Sequence, residues 1–150
     1  HEMVQLGADP HRVAHHLYET ISLNRIKLLN MLFDTIEVSE NGRLSIMTLS
    51  QTMLQATGTE VADVNGLINY AKRIENVRVA ALLYERAGGK RVRTNGACPY
   101  HVSLRSDGSV DVANIAALFG GGGHRTAAGF DTNATLPELK QELYAISTNF

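Results

Sequence analysis

The sequence predicts an α/β fold, a mixed β-sheet of about five strands with flanking helices. Two observations carry this prediction. Stretches with apolar residues at helical spacing interleave with short alternating or fully apolar runs, the pattern of strands separated by helices. One of those runs, 77–84 (Val-Arg-Val-Ala-Ala-Leu-Leu-Tyr), is apolar enough to lie at the centre of a sheet.

The elements follow in order. His1 to Leu6 reads as the end of a helix already in progress, closed by Gly7, so we expect the chain to begin inside a larger protein. Asp9-Pro10 starts a helix, because Asp caps free N–H groups and Pro at the first position loses nothing. Val13, Leu17 and Ile21 continue it. Ser22 restarts a helix whose apolar side is Ile26, Leu29, Leu32 and Phe33. Residues 35–38 and 44–49 alternate around Asn41-Gly42, a hairpin signal. A short helix is expected over 51–57, and a longer one from Val61 to Ile74. Residues 87–97 read as a basic, glycine-containing loop. Tyr100 to Arg105 is a strand, ended by a turn at Ser106-Asp107-Gly108. Asp111 caps a helix through Phe119, Thr126 to Phe130 is a short strand, and Leu136-Pro137 opens a last helix ending near Ile146.

The chain of 150 residues suits one domain, or one with an appendage. A single cysteine, Cys98, excludes a disulfide framework and a thiolate metal cage. No apolar run approaches the roughly 20 residues of a membrane span, and the opening residues do not read as a secretory signal. A soluble, cytoplasmic protein is the expectation. Net charge is −1, which argues against a chain held on a polyanion by overall charge. The charge is unevenly spread. Residues 78–125 hold seven Arg or Lys against three acids, net +4.

Within that basic segment lies a run of four glycines, Gly120 to Gly123, followed by His124 and then Ala127-Ala128-Gly129-Phe130. One glycine suffices to end a helix. Four suit backbone that approaches a ligand closely and offers N–H groups to an anion. No Lys-Ser/Thr follows on a helix start, so this is not a nucleotidase phosphate loop. No strand precedes it as a dinucleotide fingerprint requires. His11 and His15 have a metal-pair spacing but no third ligand. Cys98 has no base partner in view. Tyr84 and Tyr100 have rings that would stack on a base as well as pack in a core. His101 reads as a packing or solvent-facing strand residue.

The combination of Gly121-Gly122-Gly123-His124, Ala127-Ala128-Gly129-Phe130 and the strand Val102-Ser103-Leu104-Arg105-Ser106 resembles the DHH-associated domain of the first type. That domain is the C-terminal half of DHH-family phosphoesterases. The pattern is most similar to their oligoribonuclease and 3′-phosphoadenosine 5′-phosphate phosphatase subgroup. The resemblance implies that Gly121, Gly122, Gly123 and His124 lie over the substrate nucleotide and phosphate. It puts Arg105 on the phosphate, where a guanidinium fork holds two oxygens. Ser103, two residues earlier on the same strand face, shares the pocket. It implies a helical linker over 1–38, from an N-terminal catalytic domain, and a substrate-binding domain over 39–150.

The Asp-His-His motif and its metal-binding aspartates are not found in this sequence, since His15-His16 follows Ala14 on an expected helix. The resemblance therefore places two Mn²⁺ or Mg²⁺ ions in the catalytic domain, and no metal, cofactor or catalytic residue in this chain, which alone is expected to be inactive. Implied partners are short single-stranded RNA or DNA or a nucleotide phosphate, the catalytic domain itself and a second copy as homodimer, with no membrane. The other reading is a non-catalytic nucleic-acid-binding or oligomerisation module, as in alanyl-tRNA synthetase.

Overall fold

Among the described residues, six strands form one sheet in the order β1-β2-β3-β4-β6-β5. They are β1 (Glu37–Val38), β2 (Leu44–Leu49), β3 (Val79–Glu85), β4 (Cys98–Ser106), β5 (Gly122–His124) and β6 (Ala127–Ala134). Only β2 and β3 pair in parallel; every other pair is antiparallel. The mixed sheet expected from sequence is present, with one strand more, because the glycine run itself pairs as β5. The structure, a computed structural model, describes residues 6–7, 9–14, 21–64, 66–86 and 97–150. The opening segment to residue 5, Leu17, the His15-His16 pair and all but Ala97 of the expected basic loop lie outside the described residues.

Five of the helices formed by the described residues start where a side chain satisfies free N–H groups. In α1 (Pro10–Ala14), Asp9 Oδ1 accepts from the His11 N–H at 2.9 Å. Ser22 caps α2 (Leu23–Phe33) and Ser50 caps α3 (Gln51–Thr57), which ends at Gly58 in the left-handed region. Asp111 caps α5 (Val112–Leu118). Thr135 and Glu138 form a reciprocal capping box on α6 (Leu136–Ser147).

Two expectations need correction. The helix foreseen from Val61 to Ile74 is broken into a 3₁₀ turn (Val61–Val64) and α4 (Ile68–Lys72). Gly66, at φ +84°, turns the chain between them. In α2 the buried stripe is Leu28, Leu29 and Leu32, while Ile26 and Phe33 are 47% and 41% exposed. The stripe is rotated because α2 packs against both α3 and β2.

The two sheet faces carry separate cores. On the first, Ile46, Ala81, Val102, Leu104 and Phe130 pack against Val112, Ile115, Leu139 and Leu143 of α5 and α6. On the second, Met47, Leu49, Ala80 and Leu82 pack against Leu28, Leu32, Leu54 and Ile68 of α2, α3 and α4. Residues 23–38, read from sequence as linker, thus contribute to this core and to β1. Each fully buried leucine is worth about 2 kcal/mol. The second-face core is built on β2 and β3, while the second-face positions of β6 and β5 take no part in it.

Candidate functional site

On that second face of the sheet, the pleat and the register assemble the residues singled out by sequence. Alternation brings His101, Ser103 and Arg105 of β4 to one side. Arg105 is opposite Ala127, which is opposite His124. Ser103 is opposite Gly129, which is opposite Gly122. Directly opposed residues share a face, so Arg105, Ser103, Gly122 and His124 form two rows with small residues between them. At about 4.8 Å per strand spacing, the Arg105 and His124 backbones stand roughly 10 Å apart over a floor of Ala127 and Gly129.

The four glycines divide by function. Gly120, at φ +74°, ends α5 in a Schellman motif: its N–H donates to Ala117 O at 3.1 Å, and that of Gly121 to Ala116 O at 2.9 Å. A β-carbon at Gly121 would meet Gly129 O at 2.3 Å and Phe130 Cβ at 2.4 Å. One at Gly123 would meet Ala127 O and Ala128 Cα, each at 2.6 Å. These two face the first core, where close strand packing requires them. Gly122 has no such reason. A β-carbon there meets nothing within 4 Å, and its φ is not positive. It faces the open side, across Gly129 from Ser103.

The strand is fixed at both ends. Phe119, just after α5, stacks on Phe130 with centroids 4.3 Å apart and rings 8° from parallel. After His124, the turn is held from below: Val112 N–H donates to Arg125 O at 2.9 Å and Ser106 N–H to Thr126 O at 3.1 Å. Arg125 donates to Gly108 O at 3.3 Å, so it serves the turn rather than the face. Asp107 accepts from Ser109 and Asp111 from the α5 N-terminus, the turn and cap roles expected of them.

Arg105 is half-buried, donates one Nη1 bond to Leu104 O at 2.9 Å, and has no acidic partner among the described residues. His124 is exposed. A cleft of about 210 Å³ opens beside Arg105, lined by Val61, Val64, Leu82, Tyr84, Ser103 and Arg105 together with Gly66, Ile68 and His101. It is smaller than the few hundred Å³ of a complete ligand pocket.

Sequence reasoning missed one cluster. His101 Nδ1 lies 2.8 Å from Asp131 Oδ1, and Arg86 Nη1 lies 3.0 Å from Asp131 Oδ2. The hydrogen bond from His101 holds the Asp131 carboxyl below its usual range, with Arg86 adding to the effect. His101 stands at the same two-residue spacing as Ser103 and Arg105, which was a signal for its orientation. Its partner, 30 residues away, needed the β4–β6 register.

Among the described residues no three His, Cys, Asp or Glu side chains converge as a metal site. None of the helices formed by them is long and apolar enough to cross a membrane. Cys98 stands at the start of β4.

Comparison with known proteins places these features in a wider set. The profile of the DHHA1 domain matches residues 46–148. The chain is 30% identical over 128 residues to the bifunctional oligoribonuclease and PAP phosphatase NrnA of Bacillus subtilis (strain 168), a match covering 85% of this chain and 37% of that protein. Its fold resembles an exopolyphosphatase-related protein from Bacteroides fragilis, with a TM-score of 0.78 at 24% identity, over 93% of this chain and 38% of that one. The chain thus spans less than two-fifths of the length of either.

Proposed function

The chain belongs to the DHHA1 domain family, and from that membership we propose that it holds the phosphate and end nucleotide of a short oligonucleotide or nucleotide phosphate for a phosphoesterase. The observation that carries this reading is Gly122. Glycine costs conformational entropy wherever it is ordered in a strand. At Gly122 neither packing nor backbone angle requires it, and it faces the same side as Arg105 and Ser103. Bare backbone on the same face as a guanidinium with no acidic partner among the described residues suits a phosphate lying against the strand.

In this reading Arg105 takes two phosphate oxygens, and Ser103 and His124 offer hydrogen bonds from either side. Holding the phosphate in a fixed orientation is the contribution to catalysis, since positioning removes entropy from the reacting step. Hydrolysis falls to a catalytic domain with two Mn²⁺ or Mg²⁺ ions. The described residues do not furnish a donor set for such ions, so no hydrolytic step is assigned to them. The relative's name, an oligoribonuclease and PAP phosphatase, supports nucleotide substrates of this size.

The test is a calorimetric titration of adenosine 3′,5′-bisphosphate into the wild-type chain and Arg105→Ala. Loss of a charge-assisted phosphate contact weakens binding by about tenfold or more. Equal affinity for both removes Arg105 from the site.

A further inference from the structure

The His101–Asp131 pair lies on the same face as the proposed phosphate contacts, yet the phosphate-holding reading does not use it. A carboxylate only accepts hydrogen bonds. The 2.8 Å contact therefore puts a proton on His101 Nδ1, and in the uncharged tautomer that it selects Nε2 is the acceptor. The position of that atom is informative. A β-carbon on Gly129 would come 3.4 Å from His101 Nε2 and 3.5 Å from Cε1, so the imidazole leans over the bare backbone of Gly129. Gly129 is the middle of the Ser103–Gly129–Gly122 row. The acceptor thus stands over Gly129, next to Ser103, in the cleft that Arg105 shares with the apolar side chains of Val61, Val64, Leu82 and Tyr84.

The β4 face runs from the guanidinium of Arg105 through Ser103 to the His101 acceptor, and the apolar and aromatic side chains of Leu82 and Tyr84 on β3 flank Ser103 and His101. A nucleotide has the matching order of phosphate, sugar and base. An acceptor needs a donor, which a phosphodiester lacks at neutral pH and a ribose hydroxyl supplies. We propose that His101, held in one tautomer by Asp131, accepts a hydrogen bond from the ribose 2′-hydroxyl of the bound nucleotide and makes the site prefer ribonucleotides to deoxyribonucleotides. This rests on the phosphate-holding reading above. Asp131 acts as a positioning residue, itself neutralised by Arg86 at 3.0 Å, so its charge is not left facing the phosphate.

The test compares adenosine 3′,5′-bisphosphate with its 2′-deoxy counterpart, titrated into wild type, His101→Ala, Asp131→Asn and Arg105→Ala. Wild type should bind the ribonucleotide about fivefold more tightly, the worth of one neutral hydrogen bond. His101→Ala should bind both at the level of the deoxy compound. Asp131→Asn keeps the imidazole but frees its tautomer, so its ratio should fall towards one. Arg105→Ala should weaken both ligands and leave the ratio intact. Equal wild-type affinities for the two compounds, or a ratio that survives in His101→Ala, would overturn the inference while leaving the phosphate site standing. A full ratio in Asp131→Asn would overturn the positioning role. If wild type binds neither compound, both readings fall. His101 and Asp131 side chains are 42% and 58% exposed, so these variants are expected to fold, and their melting temperatures check it.

Discussion

Gly121 lies so close to Phe130 that a β-carbon added to it would stand 2.4 Å from the Phe130 Cβ. The clash is with the side-chain root and backbone of a strand paired on both edges, so neither partner can swing away. Gly121→Ala should therefore lower stability by about 2 kcal/mol through overpacking, read as a lower urea midpoint with an unchanged slope.

Phe119 transmits order to the same strand without touching the open face. Its stack on Phe130 ties the end of α5 to β6. Phe119→Ala should cost about 2 kcal/mol from a partly buried ring and its aromatic pairing. It should also weaken nucleotide binding, because β5 begins three residues later. A variant that melts early but binds with wild-type affinity once folded would separate strand order from site geometry.

At the far edge of the sheet, Glu37 accepts hydrogen bonds from Lys140 and from the Tyr144 hydroxyl, the latter at 2.9 Å. Burial, then the bond to Glu37, pushes the Tyr144 phenol up to about 12. A raised phenol means the folded state prefers the protonated form. Its contribution is complete below the ordinary value near 10 and is lost as pH rises from there to about 12. Across that window wild type should lose stability relative to Tyr144→Phe, on the order of 1 kcal/mol after allowing for solvent screening of a partly exposed group. Chemical denaturation of both proteins at pH 9 and pH 11.5 measures it, and parallel curves would count against the contact.

Much of this organisation is legible in the sequence. Caps at Asp9, Ser22 and Asp111 act locally, through atoms two or three residues away, so they mark helix starts without the fold. The strand at 79–85 declares itself because its first five residues are buried and residues 79–84 read as unbroken apolar sequence. What depends on register is less visible. Leu28 takes the place foreseen for Ile26 because neighbouring elements set the rotation of α2. The glycine run carries no strand signal because strand propensity says nothing of residues without side chains. Its pairing with β6 follows instead from backbone that can approach closely enough. Arg105, Ser103 and His124 were found by motif; the His101–Asp131 bond spans two strands and only the sheet reveals it.

The central claim is that Gly122 is bare to admit a ligand and not to satisfy the fold. Thermal melting together with titration of adenosine 3′,5′-bisphosphate into Gly122→Ala tests it most directly. The account predicts a melting temperature within about 2 °C of wild type, since the added methyl meets nothing, and a loss of affinity of about tenfold, since overlap of one methyl with a close-packed partner costs at least 1 kcal/mol. Wild-type affinity in a stably folded Gly122→Ala would contradict it.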